Sequence, residues 1–168
     1  LFTPWLAPYA ESASVGGTWD EPSVKMIFGA DQIGRDMLTR MMYGSRMTIG
    51  VALAITALSF LIGILTGLVS AVVGGWVDIF FTRLVDVMLS IPSLIFALII
   101  LGVFGSSIPV LILTIAVLDS TRVFRLSRAL GMNLTVMEYV EAARLRGEGL
   151  WWVITREILP NAWAPLVS

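Results

Sequence analysis

Cysteine and histidine are absent from these 168 residues, and lysine occurs once, at Lys25. No disulfide, thiol chemistry or imidazole ligand or base is therefore available in the chain. Charge of either sign is scarce: 14% of residues are charged, against about 25% in an average soluble domain. The net charge of −1 gives no basic surface for nucleic acid. Residues 47–77 and 87–118 contain no Asp, Glu, Lys or Arg at all. A Gly-x-x-x-x-Gly-Lys-Ser/Thr run is missing too, so nothing here can cradle the phosphates of ATP. An intramembrane hydrolase would need Ser with Lys or Asp, and Lys25 lies outside both apolar runs, which leaves that class with little support.

The sequence has apolar surface in excess. Hydrophobic residues make up 57% of it, against about 45–50% for a soluble domain. A bilayer crossing needs about 20 consecutive apolar residues, and both charge-free runs exceed that. We read an all-α membrane protein, a polytopic helical bundle. No leader-like start opens the chain; residues 1–9 read as the tail of a hydrophobic segment at an aromatic interface belt, so the chain is expected to be a fragment.

Residues 1–46 are expected to form an external loop, aperiodic from Glu11 to Val24, followed by a short amphipathic interfacial helix. Asp31 stands where that helix would be N-capped. Residues 47–119 are expected to hold three transmembrane helices. The first, 47 to about 75, carries small residues four apart, Ser59, Gly63, Gly67, Ala71 and Gly75, a ladder that lets another helix approach closely. The same ladder is also compatible with the general frequency of glycine in membrane helices. The second span, about 80–104, contains Pro92, which is expected to kink it. Arg83 and Asp86, three residues apart, are expected to pair with each other.

Gly105 to Pro109 break the second charge-free run, so a third span starts near Ile108 and carries Asp119 towards the bilayer boundary. An ionisable group at that depth is a functional candidate by default. Arg122 follows three residues later and can neutralise it in a structural ion pair, the reading we favour here. Arg122, Arg125 and Arg128, with Arg144, Arg146 and Arg156 beyond, mark residues 120–160 as cytoplasmic. Lys25, Arg35, Arg40 and Arg46 on the outer side weigh against that orientation without reversing the balance.

The cytoplasmic segment reads as helix, turn and helix. Residues 133–146 favour a helix with Val136, Tyr139, Val140 and Ala143 along an apolar seam, and Gly147 can end it in the left-handed conformation. A second helix from Leu150 is expected to close at Pro160, with Trp151, Trp152 and Ile154 as exposed bulk. By composition alone the segment is either a surface helix-turn-helix or a docking device.

The spacing in this segment resembles a known signature. Glu141-Ala142-Ala143, three residues, Gly147, and then Leu159-Pro160 are similar to the EAA loop of the inner-membrane permease subunits of bacterial ABC importers. Position 157 is Glu where the pattern has Ile, with Ile158 one place later. Gly29-Ala30-Asp31-Gln32-Ile33-Gly34-Arg35-Asp36 resembles the Gly-Thr-Asp-x-x-Gly-Arg-Asp block of the dipeptide, oligopeptide and nickel permease group, with Ala30 in place of Thr. The Gly74 to Asp78 turn, Arg83 to Pro92 and Arg144 to Asn161 are also similar to that group, in its C-type subunit.

The resemblance implies a non-enzymatic, multi-pass permease subunit of the bacterial inner membrane, with six spans when complete. Through it, residues 161–168 are expected to begin the next span. It implies that Glu141, Ala142, Ala143, Gly147, Leu159 and Pro160 dock an ATPase subunit. The implied partners are a second permease subunit, two cytoplasmic ATPase subunits that bind ATP and Mg, an external solute-binding protein and membrane lipid. The implied cargo is di- or oligopeptide, with nickel or another small solute as the alternative. No cofactor or metal is expected in this chain.

Overall fold

The computed structural model describes residues 3–167, most of them in helices, with a long irregular segment between Leu6 and Met37. They divide into two compact units, one ending at Leu53 and one beginning at Ala54, a boundary that falls inside a helix instead of at the expected 46/47 junction.

The first unit opens with helix α1 (Thr3–Leu6). The segment after it lacks periodicity, but its backbone is pinned into antiparallel bridges between Ser14 and Arg35 and between Ala30 and Asp36. The helix N-cap falls to Asp36 instead of Asp31: Oδ2 of Asp36 accepts from the Thr39 N–H at 2.8 Å.

Helix α2 (Met37–Val73) then runs unbroken for 37 residues, roughly 55 Å at 1.5 Å per residue. The interfacial helix and the first span expected as separate elements are one helix, because no Pro or turn residue pair interrupts residues 37–73. Gly75 falls past its end, beside a turn at Gly74, and so leaves the small-residue ladder.

The second unit continues with helix α3 (Gly75–Ser90) and helix α4 (Ser93–Phe104). Their axes differ by 91°, so the expected kink is a full break. Ile91 and Pro92 lie in extended conformation, which is where the proline ring forces the residue before it. Helix α5 (Ile108–Thr135), with Pro109 in its first turn, passes through Asp119, Arg122, Arg125 and Arg128 without interruption. Its apolar stretch ends at Leu118. Among the described residues, one helix, α2, is long and apolar enough to cross a membrane, and α3 with α4 qualifies as a second if the bent pair is one crossing.

Helices α2 and α5 touch in parallel. A methyl group on Gly63 would meet Ser120 and Val123, one on Gly67 would meet Phe124 and Ser127, and Gly131 lies against Ala71. The paired numbers rise together along both helices, so residues 74–107 carry the chain back between them. Ser59 is buried and donates its hydroxyl to the Thr56 carbonyl at 2.9 Å.

Helix α6 (Glu138–Leu145), helix α7 (Leu150–Trp152), a π-helical turn (Val153–Ile158) and helix α8 (Leu159–Val167) complete the unit. The last three are continuous, so the helix expected from Leu150 does not close at Pro160. Pro160 removes one N–H from the ladder, and the wider turn just before it is where the helix adjusts. Asn161 contributes a local bond there, its Nδ2 donating to the Glu157 carbonyl at 2.6 Å. The core of this end joins Leu68 of α2 to Val140, Ala143, Val153, Ile154 and Ile158. Full burial of each larger member is worth about 1.5–3 kcal/mol. Ile154, expected as exposed bulk, is thus a core residue, while Val136 and Tyr139 are exposed and leave the seam to Val140 and Ala143.

Candidate functional site

Two neighbouring alanines face opposite ways. Ala143 is fully buried in the core with Leu68 and Ile154, where a larger side chain would have no room, while Ala142 and Glu141 stand exposed on the other face of α6. Glu141 makes no ion pair or side-chain hydrogen bond among the described residues. The helix ends in a left-handed glycine motif: Gly147, at φ 81°, donates to the Arg144 carbonyl, and the Glu148 N–H reaches back to that of Ala143.

The turn is held by its own arginines. Arg144 Nη2 donates to the Val72 carbonyl at 3.3 Å, near the end of α2, where helix carbonyls lack partners. Arg146 lies 3.8 Å from Glu157 and its guanidinium stands 5.9 Å from the Trp152 ring centroid. Glu157, the departure from the usual pattern, is therefore occupied inside the turn, and Ile158 fills the core in its place. Leu159 packs against that core and Pro160 is exposed. Glu141, Ala142 and Pro160 are left facing outward on a loop whose interior is closed.

The other expected pairs are rearranged. Asp86 bonds Arg125 of α5 at 2.7 Å, and Arg83 has no ion pair among the described residues. Asp78 takes both a Nε and a Nη2 bond from Arg128. These partners lie 39 and 50 residues apart in sequence, beyond the reach of local spacing rules. Asp119 and Arg122 do not pair; both line a cavity of about 190 Å³ at the break between α3 and α4. No group of three or more His, Cys, Asp or Glu among the described residues could hold a metal.

The Gly29–Asp36 block is a second cluster, in which Asp31 is fully bonded from within while Oδ1 of Asp36 is buried without a hydrogen-bond partner. Asp31 Oδ1 accepts the backbone N–H groups of Ile33 and Arg35, and Oδ2 accepts from Arg35 at 3.0 Å and Arg40 at 2.7 Å. The Arg35 N–H, working against desolvation, and then the Ile33 N–H and the Arg35 guanidinium hold this carboxyl well below the usual carboxylate range. Gly29 and Gly34 have positive φ, and a methyl on Gly34 would run into the Gly16 carbonyl.

Comparison with known proteins places residues 59–168 within a family described as "Binding-protein-dependent transport system inner membrane component". The chain is 34% identical to the probable D,D-dipeptide transport system permease protein of Escherichia coli, over 99% of this chain and 56% of that protein. It is 33% identical to the di/tripeptide transport system permease protein of Pseudomonas aeruginosa, over 99% and 57%. It is 36% identical to the dipeptide transport system permease protein of Haemophilus influenzae, over 99% and 59%. The chain thus spans somewhat more than half the length of these curated relatives.

Proposed function

Because this chain belongs to the family of binding-protein-dependent transport system inner membrane components, we propose that it is part of the permease subunit of an ATP-driven peptide importer. We read three crossings, α2, the bent pair α3 and α4, and α5, of which α5 is apolar only from Ile108 to Leu118 and does not meet the length that α2 meets. The parallel contact of α2 with α5 favours counting the bent pair as one crossing, since the chain must return between two helices that run the same way. By the positive-inside rule, Arg122, Arg125 and Arg128 support a cytoplasmic side for the loop from Glu138 to Pro160.

The observation that carries the reading is the outward, unpartnered face of Glu141 and Ala142 on a loop packed onto α2 and α5. A push on a loose loop would dissipate; a push on this one reaches Leu68 through Val140 and Ala143. ATP and Mg would be bound by two cytoplasmic ATPase subunits, whose closure would rearrange α2 and α5 in alternating access. A second permease subunit would complete the path, and an external solute-binding protein would deliver the cargo.

Di- and oligopeptides are the preferred cargo, given the names of the relatives. Vesicles holding the full complex and its binding protein should take up labelled di- and oligopeptides when ATP is present. Uptake of nickel or another small solute without peptide uptake would contradict the peptide assignment.

A further inference from the structure

The break between α3 and α4 leaves backbone groups without helical partners. The last carbonyls of α3 and the first N–H groups of α4 meet around Ile91 and Pro92. In a bilayer, such a break is tolerated only where protein buries it or where it lines a water-filled cavity. The cavity of about 190 Å³ supplies that setting, and Met88, Pro92, Ser93, Asp119 and Arg122 line it. Asp119 and Arg122 bring one charge of each sign to one cavity, and neither is paired among the described residues. Asp86 and Asp78 are already bonded to Arg125 and Arg128, so the ion pairs of α5 nearest the cavity leave these two charges unused.

We propose that the cavity at the α3–α4 break is a half-site for a zwitterionic short peptide in transit, with Asp119 receiving its ammonium group and Arg122 its carboxylate or backbone carbonyls. Complete small-molecule sites run to roughly 300–1,000 Å³. A cavity of about 190 Å³ therefore takes one part of a peptide, and the rest of the site falls to parts of the permease outside this chain. The arrangement follows a general transporter pattern: a broken helix with ionisable side chains beside the break. The proposal rests on the peptide-importer reading above.

The test is uptake of labelled L-alanyl-L-alanine by vesicles containing the full complex with its binding protein, measured beside ATP hydrolysis and subunit copurification. Asp119→Asn and Arg122→Gln should each lower uptake by about tenfold while assembly and binding-protein-stimulated hydrolysis persist. Asp119→Glu should restore most of the uptake, which a purely packing role for Asp119 would not do. Wild-type uptake in both neutral variants overturns the half-site, as does loss of uptake only where the complex also fails to assemble. If the wild-type complex imports no alanyl-alanine, the peptide reading itself fails and the half-site with it.

Discussion

The Gly29–Asp36 block and the Glu141–Pro160 loop are the two most patterned stretches of the chain, and they use their polar residues in opposite ways. In the block, both Asp31 oxygens are filled by Arg35, Arg40 and backbone N–H groups, Asp36 caps α2, and Gly34 sits where only a glycine fits against Gly16. In the loop, the arginines are used to close the turn, yet Glu141 and Ala142 point outward with nothing to hold. Equal regularity in sequence thus has two physical origins. A block whose Asp31 is bonded entirely from within is built as a scaffold; a rigid loop that leaves a carboxylate and a small residue exposed has the surface that the proposed docking requires.

That contrast breaks most readily at Gly34. Gly34→Ala forces a methyl group into the Gly16 carbonyl at positive φ, and backbone against backbone has no rotamer to relieve it. We expect a loss above about 4 kcal/mol, the exceptional end for one substitution, seen as protease cleavage between residues 11 and 36. Ile158→Ala should cost about 3 kcal/mol by opening a cavity beside Leu68 and Val140, read as a lower Tm in detergent.

The block also has a pH signature. A carboxyl whose native pKa is depressed adds stability above its unfolded value, about 4, and that stability is lost as pH falls from there through the native value. Hydrogen exchange over residues 29–36, corrected for intrinsic rates, should therefore stay protected down to about pH 4 and weaken below it. In Asp31→Asn this pH dependence should vanish, and protection should already be lower at neutral pH. Smaller still, Arg146→Ala should cost about 0.2–1 kcal/mol, since Arg146 is half exposed and its partner Glu157 lies 3.8 Å away. Glu141→Arg should leave Tm unchanged and abolish copurification with the ATPase subunits, which separates docking from folding.

Much of this was legible in the sequence. The helical, apolar character, the breaks at Gly74 and Gly105, and the Glu141 to Gly147 turn all follow from local composition and spacing. Local rules failed where distant partners decided. Nothing near Asp86 in sequence says that Arg125, 39 residues away, outcompetes Arg83, and the break at Pro92 brought Asp119 and Arg122 to a cavity instead of to each other. The burial of Ile154 was hidden for the same reason: the core it enters is completed by Leu68 of α2, far away in sequence.

The absence of cysteine from these 168 residues allows a direct measurement of the central claim. Ala142→Cys and, in the Gly29–Asp36 block, Gln32→Cys would be placed singly in the permease, and maleimide labelling followed in opened membranes with and without the ATPase subunits. The account predicts that assembly slows labelling at position 142 by about tenfold or more and leaves position 32 unchanged. Equal labelling of position 142 in the free and assembled states would contradict it.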